Sequence, residues 1–296
     1  MTPFEEYPTL AEKLGIKRLF IKREDLNPSG SHKDRTIWPL LAYYARKGKE
    51  SFVIPSSGNA AISAAYYLKH NDEKLRLDIF VSPEINKEKR ERLSAAVENQ
   101  EKINIHLSPR AKSDALRFAR EKNSELIRTS TDAIALEGYK VLARELLQNI
   151  GENLDIEKDK VSLFIPTSSG TTVEGLFEGF KKLKIMPALN IVQTEYVAPI
   201  ARELDSKFER KQSSKASAVV DTIAHRKPNV LKAVRESKGS GYVVSDEALE
   251  KAKNLLEETT PIRNISWDSL LALAGTIKAK EAGRIEKNVI LLFTGR

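Results

Sequence analysis

Short β-branched and aliphatic runs alternate along the chain with longer stretches whose apolar positions recur every three or four residues. Runs of the first kind fall at Arg18–Lys22, Ser51–Pro55, Leu75–Val81, Ile103–Leu107, Val161–Pro166, Leu189–Thr194 and Asn288–Phe293, and they predict strands. After Thr172, residues Val173, Leu176, Phe177, Phe180 and Leu183 share one helical face. From Glu137 to Ile150, residues Tyr139, Leu142, Leu146 and Ile150 form one stripe, and Gly151 is the expected stop. Ser245-Asp246-Glu247 reads as the capped, acidic start of a further helix. This alternation predicts an α/β fold with parallel sheets. The small and polar stretch Lys211–Ala218 predicts a surface loop, and no repeat, low-complexity tract or linker marks a domain boundary.

At 296 residues the chain has the length of about two domains, or one large one. Hydrophobic residues are 41% and charged residues 30%, which predicts a globular protein rather than a disordered one. Cysteine is absent, which excludes disulfides, thiol catalysis, iron–sulfur clusters and cysteine-ligated zinc, and fits a reducing compartment. His32, His70, His106 and His225 show no metal-ligand spacing, so no metal is expected. No apolar run comes near the roughly eighteen residues of a spanning helix. The N-terminal MTPFEEYPTL lacks the pattern of a signal peptide, so a cytoplasmic protein is expected, with no membrane partner. The net charge of +8 reads as a solvated surface with a lysine excess. The basic stretches Lys87–Arg92 and Lys207–Lys215 are interrupted by acids and small polar residues and carry no nucleic-acid motif, so no nucleic acid is expected. A positive field still suits small anionic substrates or a phosphate-bearing cofactor.

Three segments carry candidate chemistry. In SFVIPSSGNAAISAAYYL a strand ends at Pro55, and Ser56-Ser57-Gly58-Asn59 opens an alanine-rich helix. In VSLFIPTSSGTTVEGLFEGF a strand ends at Pro166, and Thr167-Ser168-Ser169-Gly170-Thr171-Thr172 opens another. Both place backbone N–H groups at a positive helix end beyond the carboxyl edge of a strand, where anions bind in open α/β sheets. Taken alone, each junction is better explained by ordinary capping by serine and threonine, and the two are more suggestive as a pair. Neither is a nucleoside-triphosphate loop or a G-x-G-x-x-G loop, and no G-x-S-x-G elbow occurs. The third segment is KREDLNPSGSHKDR, residues 22–35, where the turn Asn27-Pro28-Ser29-Gly30 leads to Lys33.

Taken together and in order, these segments resemble the fold-type-II pyridoxal-phosphate-dependent enzymes, the tryptophan synthase β-like superfamily, and within it the threonine synthase-like branch. KREDLNPSGSHKDR resembles the segment of the Schiff-base lysine, and SSGNAA the loop whose asparagine faces the cofactor ring. LEGYKVLAREL at 136–146 resembles the branch's E-G-x-K helix, IPTSSGTTVEGLFEGFKKL the phosphate-binding loop with its helix, and VILLFTGR the last strand with its T-G ending. The resemblance implies two three-layer α/β domains with parallel sheets and pyridoxal 5'-phosphate in the interdomain cleft. A large domain is expected at 1–46 and 132–296, and a small mobile one at 47–131.

Carried over residue by residue, it implies that Lys33 binds the cofactor covalently and shuttles the substrate's Cα proton. Ser56, Ser57, Gly58 and Asn59 meet the substrate, and Asn59 also faces the ring's 3'-oxygen. Ser168, Ser169, Gly170, Thr171 and Thr172 hold the phosphate, and Thr294 meets the pyridine nitrogen. The expected activity is a carbon–oxygen lyase of a small amino acid, acting by β- or γ-elimination or replacement in the manner of threonine synthase, in a homodimer. Two alternatives stand beside it: a threonine or serine dehydratase, and a degenerate member of the fold that binds without catalysis. Three departures bear on the choice. Ser168 and Thr171 replace two glycines of the usual G-x-G-G-T loop, Ala135 stands where the synthase branch carries an arginine, and Trp267-Asp268 stands where small residues are common.

Overall fold

The computed structural model describes residues 1–71, 74–85, 87–155 and 159–296. The chain divides into two units, Met1–Leu26 with Gly138–Arg296, and Asn27–Glu137. Numbered along the whole chain, the strands of the first unit are β1 (Phe4–Glu6), β2 (Arg18–Arg23), β7 (Val161–Pro166), β8 (Ala188–Thr194), β9 (Gly241–Val244) and β10 (Asn288–Phe293). They form one sheet in the order β1-β2-β10-β7-β8-β9. All neighbours are parallel except β1, which runs antiparallel to β2.

The hydrophobic run at the end of the chain shows how the layers arise. Successive side chains of a strand point to opposite faces. Val289, Leu291 and Phe293 pack with α1 (Pro8–Leu14), α9 (Asp246–Thr259) and α10 (Trp267–Glu281). Ile290 and Leu292 pack on the other face with α6 (Glu137–Asn153), α7 (Thr171–Leu183) and α8 (Lys227–Glu236). A run apolar at every position therefore sits at the centre of three layers, covered on both sides.

The second unit carries β3 (Ser51–Ile54), β4 (Arg76–Val81), β5 (Ile103–Leu107) and β6 (Glu125–Leu126) in a parallel sheet ordered β5-β4-β3-β6. Phe52, Ile54, Leu77 and Ile79 pack with α2 (Asp34–Arg46), α3 (Asn59–Lys69) and Leu93 of α4 (Lys87–Val97). Val53 and Phe80 face α5 (Ala111–Glu121) through Ala115 and Ala119. The unit is wider on both sides than the 47–131 expected from the sequence. The cause is apolar: Ile37, Leu40 and Leu41 of α2, and Ala135, share a core with Phe52 and Ala61. The Lys33 segment thus belongs to the second unit.

Ser245 caps α9 by accepting from the Ala248 N–H at 3.2 Å, as its sequence predicts. Gly151 does not stop α6, which runs on to Asn153. Glycine costs about 1 kcal/mol inside a helix, too little to end one whose stripe of Tyr139, Leu142, Leu146 and Ile150 is buried. Residues 211–218 form a loop without helix or strand, anchored by buried Ala216. Among the described residues no helix is long and apolar enough to cross a membrane, and no group of three or more histidines and carboxylates is placed to hold a metal.

Candidate active site

After β2 the first segment of the first unit ends in a short helical turn, Glu24–Leu26, and the second unit begins with the bend Asn27–Gly30. The Gly30 N–H donates to the Asn27 carbonyl at 2.8 Å, and Gly30 takes φ +84°, a conformation suited to glycine. Lys33, half-buried, is the last residue before α2. Its carbonyl accepts from the Thr36 and Ile37 N–H groups, and its own N–H donates to Ser31 Oγ at 3.3 Å.

The carboxylate of Asp34, only 5% exposed, fixes this backbone from three sides. It accepts from the Ser29 N–H at 2.9 Å, from the Ser29 hydroxyl, and from Ser63 Oγ of α3 at 2.6 Å. Ser63 is fully buried, and its carbonyl accepts from Trp38 Nε1 at 3.2 Å. One buried acid therefore couples the turn before the lysine to α3. The loop into α3 and its first residue carry the second candidate group, Ser56-Ser57-Gly58-Asn59, all half-buried. The Gly58 N–H donates to Ser56 Oγ at 3.4 Å, and Arg92 of α4 donates to Asn59 Oδ1 at 3.2 Å.

In the first unit β10 pairs with β7 in parallel register, from Asn288 opposite Val161 to Leu291 opposite Phe164. Thr167 and Thr294 therefore leave their strands at the same edge of the sheet. The loop Thr167–Gly170 is shaped from below by Gln193, which is fully buried. Gln193 Nε2 donates to the Thr167 carbonyl at 3.2 Å, and its Oε1 accepts from the Ile200 and Ala201 N–H groups at 3.0 and 2.8 Å. Gly170, at φ +93°, turns the chain into α7. A Cβ there would come to 2.5 Å from Val230 Cγ2, so any other residue would have to displace Val230 and strain the backbone as well.

The two replaced glycines carry no such requirement. Neither Ser168 nor Thr171 has positive φ. Ser168 Oγ donates to Asp221 Oδ2 at 2.7 Å, and the hydroxyls of Ser169 and Thr171 lie 3.0 Å apart. Just inside α7, buried Glu174 accepts from Arg226 at 2.8 Å and from Asn229 Nδ2 at 2.6 Å. That neutralises the one acid in the first turn of the helix.

Thr294, 4% exposed, is held through Ser269 of α10. Ser269 Oγ accepts from the Thr294 and Gly295 N–H groups, both at 2.9 Å, and donates to the Gly295 carbonyl at 2.7 Å. The unusual Trp267-Asp268 pair is explained by the 211–218 loop. Asp268 Oδ1 accepts from the Ala218 N–H at 2.9 Å, and Lys215 Nζ lies 4.9 Å over the Trp267 ring. A separate cavity of about 260 Å³ lies where β8 and β9 end, lined by Glu195, Tyr196, Lys211 and Glu247. Burial pushes the Glu195 carboxyl up, and none of the sequence-derived candidates lines this cavity.

The structure thus brings Lys33 and Ser56–Asn59 into one unit through Asp34 and Ser63, and places Ser168–Thr172 and Thr294 along one sheet edge in the other. The supporting residues Asp34, Ser63, Gln193, Glu174 and Ser269 had no signal of their own, since each acts through a partner distant in sequence. Asp34, next to the candidate lysine, was the nearest to legible.

A two-unit α/β fold of mainly parallel sheets, with glycine-containing strand-to-helix turns at Ser56–Asn59 and Thr167–Gly170, is the class these features define. The chain belongs to the family described as pyridoxal-phosphate dependent enzyme, whose model matches residues 1–295. It is 27% identical over 312 residues to a threonine synthase of Methanosarcina acetivorans, covering 99% of this chain and 74% of that protein. It is 28% identical over 196 residues to a biosynthetic L-threonine dehydratase of Pasteurella multocida, covering 66% of this chain and 36% of that protein. A serine racemase from Dictyostelium discoideum shares the fold at a TM-score of 0.79 with 19% identity, covering 99% of this chain and 91% of that one. The donor set at α7 fits the phosphate of such a cofactor, with backbone N–H groups and hydroxyls gathered around a glycine at φ +93°, and the second unit carries Lys33 at the start of α2.

Proposed function

We propose that the chain is a pyridoxal-phosphate-dependent lyase of small amino acids, working by β- or γ-elimination or replacement in the manner of threonine synthase. The observation that carries this reading is Thr294, a neutral hydroxyl residue locked at the end of β10 by Ser269. A neutral partner does not hold a proton on the pyridine nitrogen, and that favours elimination and replacement over transamination. When bound, the cofactor supplies an electron sink for charge developing at the substrate's Cα.

Everything else falls to the chain. Lys33 Nζ holds the cofactor covalently and moves the Cα proton, a task for which a lysine amine suits once its surroundings lower its basicity. Backbone N–H groups and hydroxyls of Ser56, Ser57 and Gly58 receive the substrate carboxylate at the start of α3. The amide of Asn59 meets the ring's 3'-oxygen. Ser168, Ser169, Gly170, Thr171 and Thr172 hold the phosphate at the positive end of α7. The segment 47–131 moves as substrate enters, as lids do. The active species is a cytoplasmic homodimer, supported by the family resemblance and the cysteine-free composition.

One observation favours the dehydratase reading. Ala135 is fully buried in the apolar core of the second unit, so the position offers no cation for a phosphorylated substrate. Steady-state assays with O-phosphohomoserine, threonine and serine separate the two. Release of phosphate with formation of threonine supports the synthase reading. No turnover of O-phosphohomoserine, with ketobutyrate formed from threonine, replaces it with the dehydratase.

A further inference from the structure

The guanidinium of Arg92 meets the one side chain of the α3 turn that the cofactor reading assigns to the ring. Arg92 sits half-buried on α4, one residue before Leu93, which is buried in the core shared with α3. Its NH2 group donates to Asn59 Oδ1 at 3.2 Å. Arginine carries five donors and no acceptor, so the amide atom facing it must be the oxygen. This fixes the flip of Asn59, which is otherwise decided only by its hydrogen-bond network. The oxygen is committed to α4, and the two Nδ2 hydrogens are left for another acceptor. A charged donor on the oxygen also draws density from the amide and strengthens its N–H groups as donors.

We infer that Arg92 is a positioning residue for the cofactor, acting through Asn59: it locks the asparagine amide with its N–H side toward the ring's 3'-oxygen. The inference rests on the cofactor reading above and names a residue which that reading does not contain. Without Arg92 the amide is free to present its oxygen to the 3'-oxygen, so acceptor would face acceptor.

The test is a double-mutant cycle on the apo-protein titrated with pyridoxal phosphate, read as Kd and as the absorption maximum of the bound cofactor. Arg92→Met is expected to raise Kd about tenfold and to displace the visible maximum, while Arg92→Lys, which keeps a charged donor, recovers most of both. In an Asn59→Ala background Arg92→Met changes neither quantity, because the group it acts through is gone. Arg90→Met on the same helix serves as the control for surface charge and leaves both quantities unchanged. A wild-type protein that takes up no cofactor overturns the reading beneath this inference and the inference with it. Uptake by the wild type with equal effects of Arg92→Met in the presence and absence of Asn59 overturns the positioning role alone. So does an unchanged absorption maximum in Arg92→Met.

Discussion

The turn around Lys33 and the loop around Gly170 both lead into a helix, and they are shaped by different means. Around Lys33 the precision comes from side chains. Asp34 accepts from Ser29 within the same motif and from Ser63 of α3, which lies outside it. Around Gly170 it comes from backbone shape. One glycine at φ +93° against Val230 makes the turn, while Ser168 and Thr171 occupy former glycine positions without left-handed backbone. A turn shaped by backbone accepts a Cβ wherever φ and space allow one, whereas a turn shaped by side chains depends on the identity of each bonding residue.

The largest way to strain this contrast lies beneath the Gly170 loop. Glu174→Ala leaves the Arg226 charge buried without its carboxylate, and removing one partner of such a pair costs about 3 kcal/mol or more. The midpoint of denaturant unfolding is expected to fall accordingly, and a change under 1 kcal/mol would remove the pair from the account. Gly170→Ala forces a Cβ against Val230 in a left-handed backbone, for about 2 kcal/mol of destabilisation. Adding Val230→Ala relieves the clash but not the φ strain, so only part of the loss should return in thermal melts. Asp34→Asn keeps the volume but replaces a charged acceptor, and about 1–2 kcal/mol is expected. Cofactor titration should weaken with it, since Lys33 is its neighbour. Ser168→Gly sits at the small end. It restores the family's residue, so cofactor affinity should stay within about twofold, and a tenfold change would show that the Asp221 contact is required.

The sequence made the strands at Val161–Pro166, Ile103–Leu107 and Asn288–Phe293 legible to the residue, because short runs that are mostly apolar or alternate between apolar and polar positions match the strand period. It did not reveal β1 or β6, which are three and two residues long, nor β9, whose Gly241-Tyr-Val-Val is too short for a period to declare itself. The packing of α2 against Phe52 was not readable, since amphipathic spacing says that a face is apolar but not which sheet it covers. The candidate residues were proposed from motif order. Their supports were not, because Gln193 with Thr167, Glu174 with Arg226 and Ser269 with Thr294 are pairs that only the fold brings together.

The covalent role of Lys33 is tested most directly by loading the protein with pyridoxal phosphate, reducing with borohydride, digesting, and locating the pyridoxyl group by mass spectrometry. The account predicts a stoichiometric adduct on the peptide containing Lys33, lost in Lys33→Ala. An adduct on another lysine, or none at all, would contradict it.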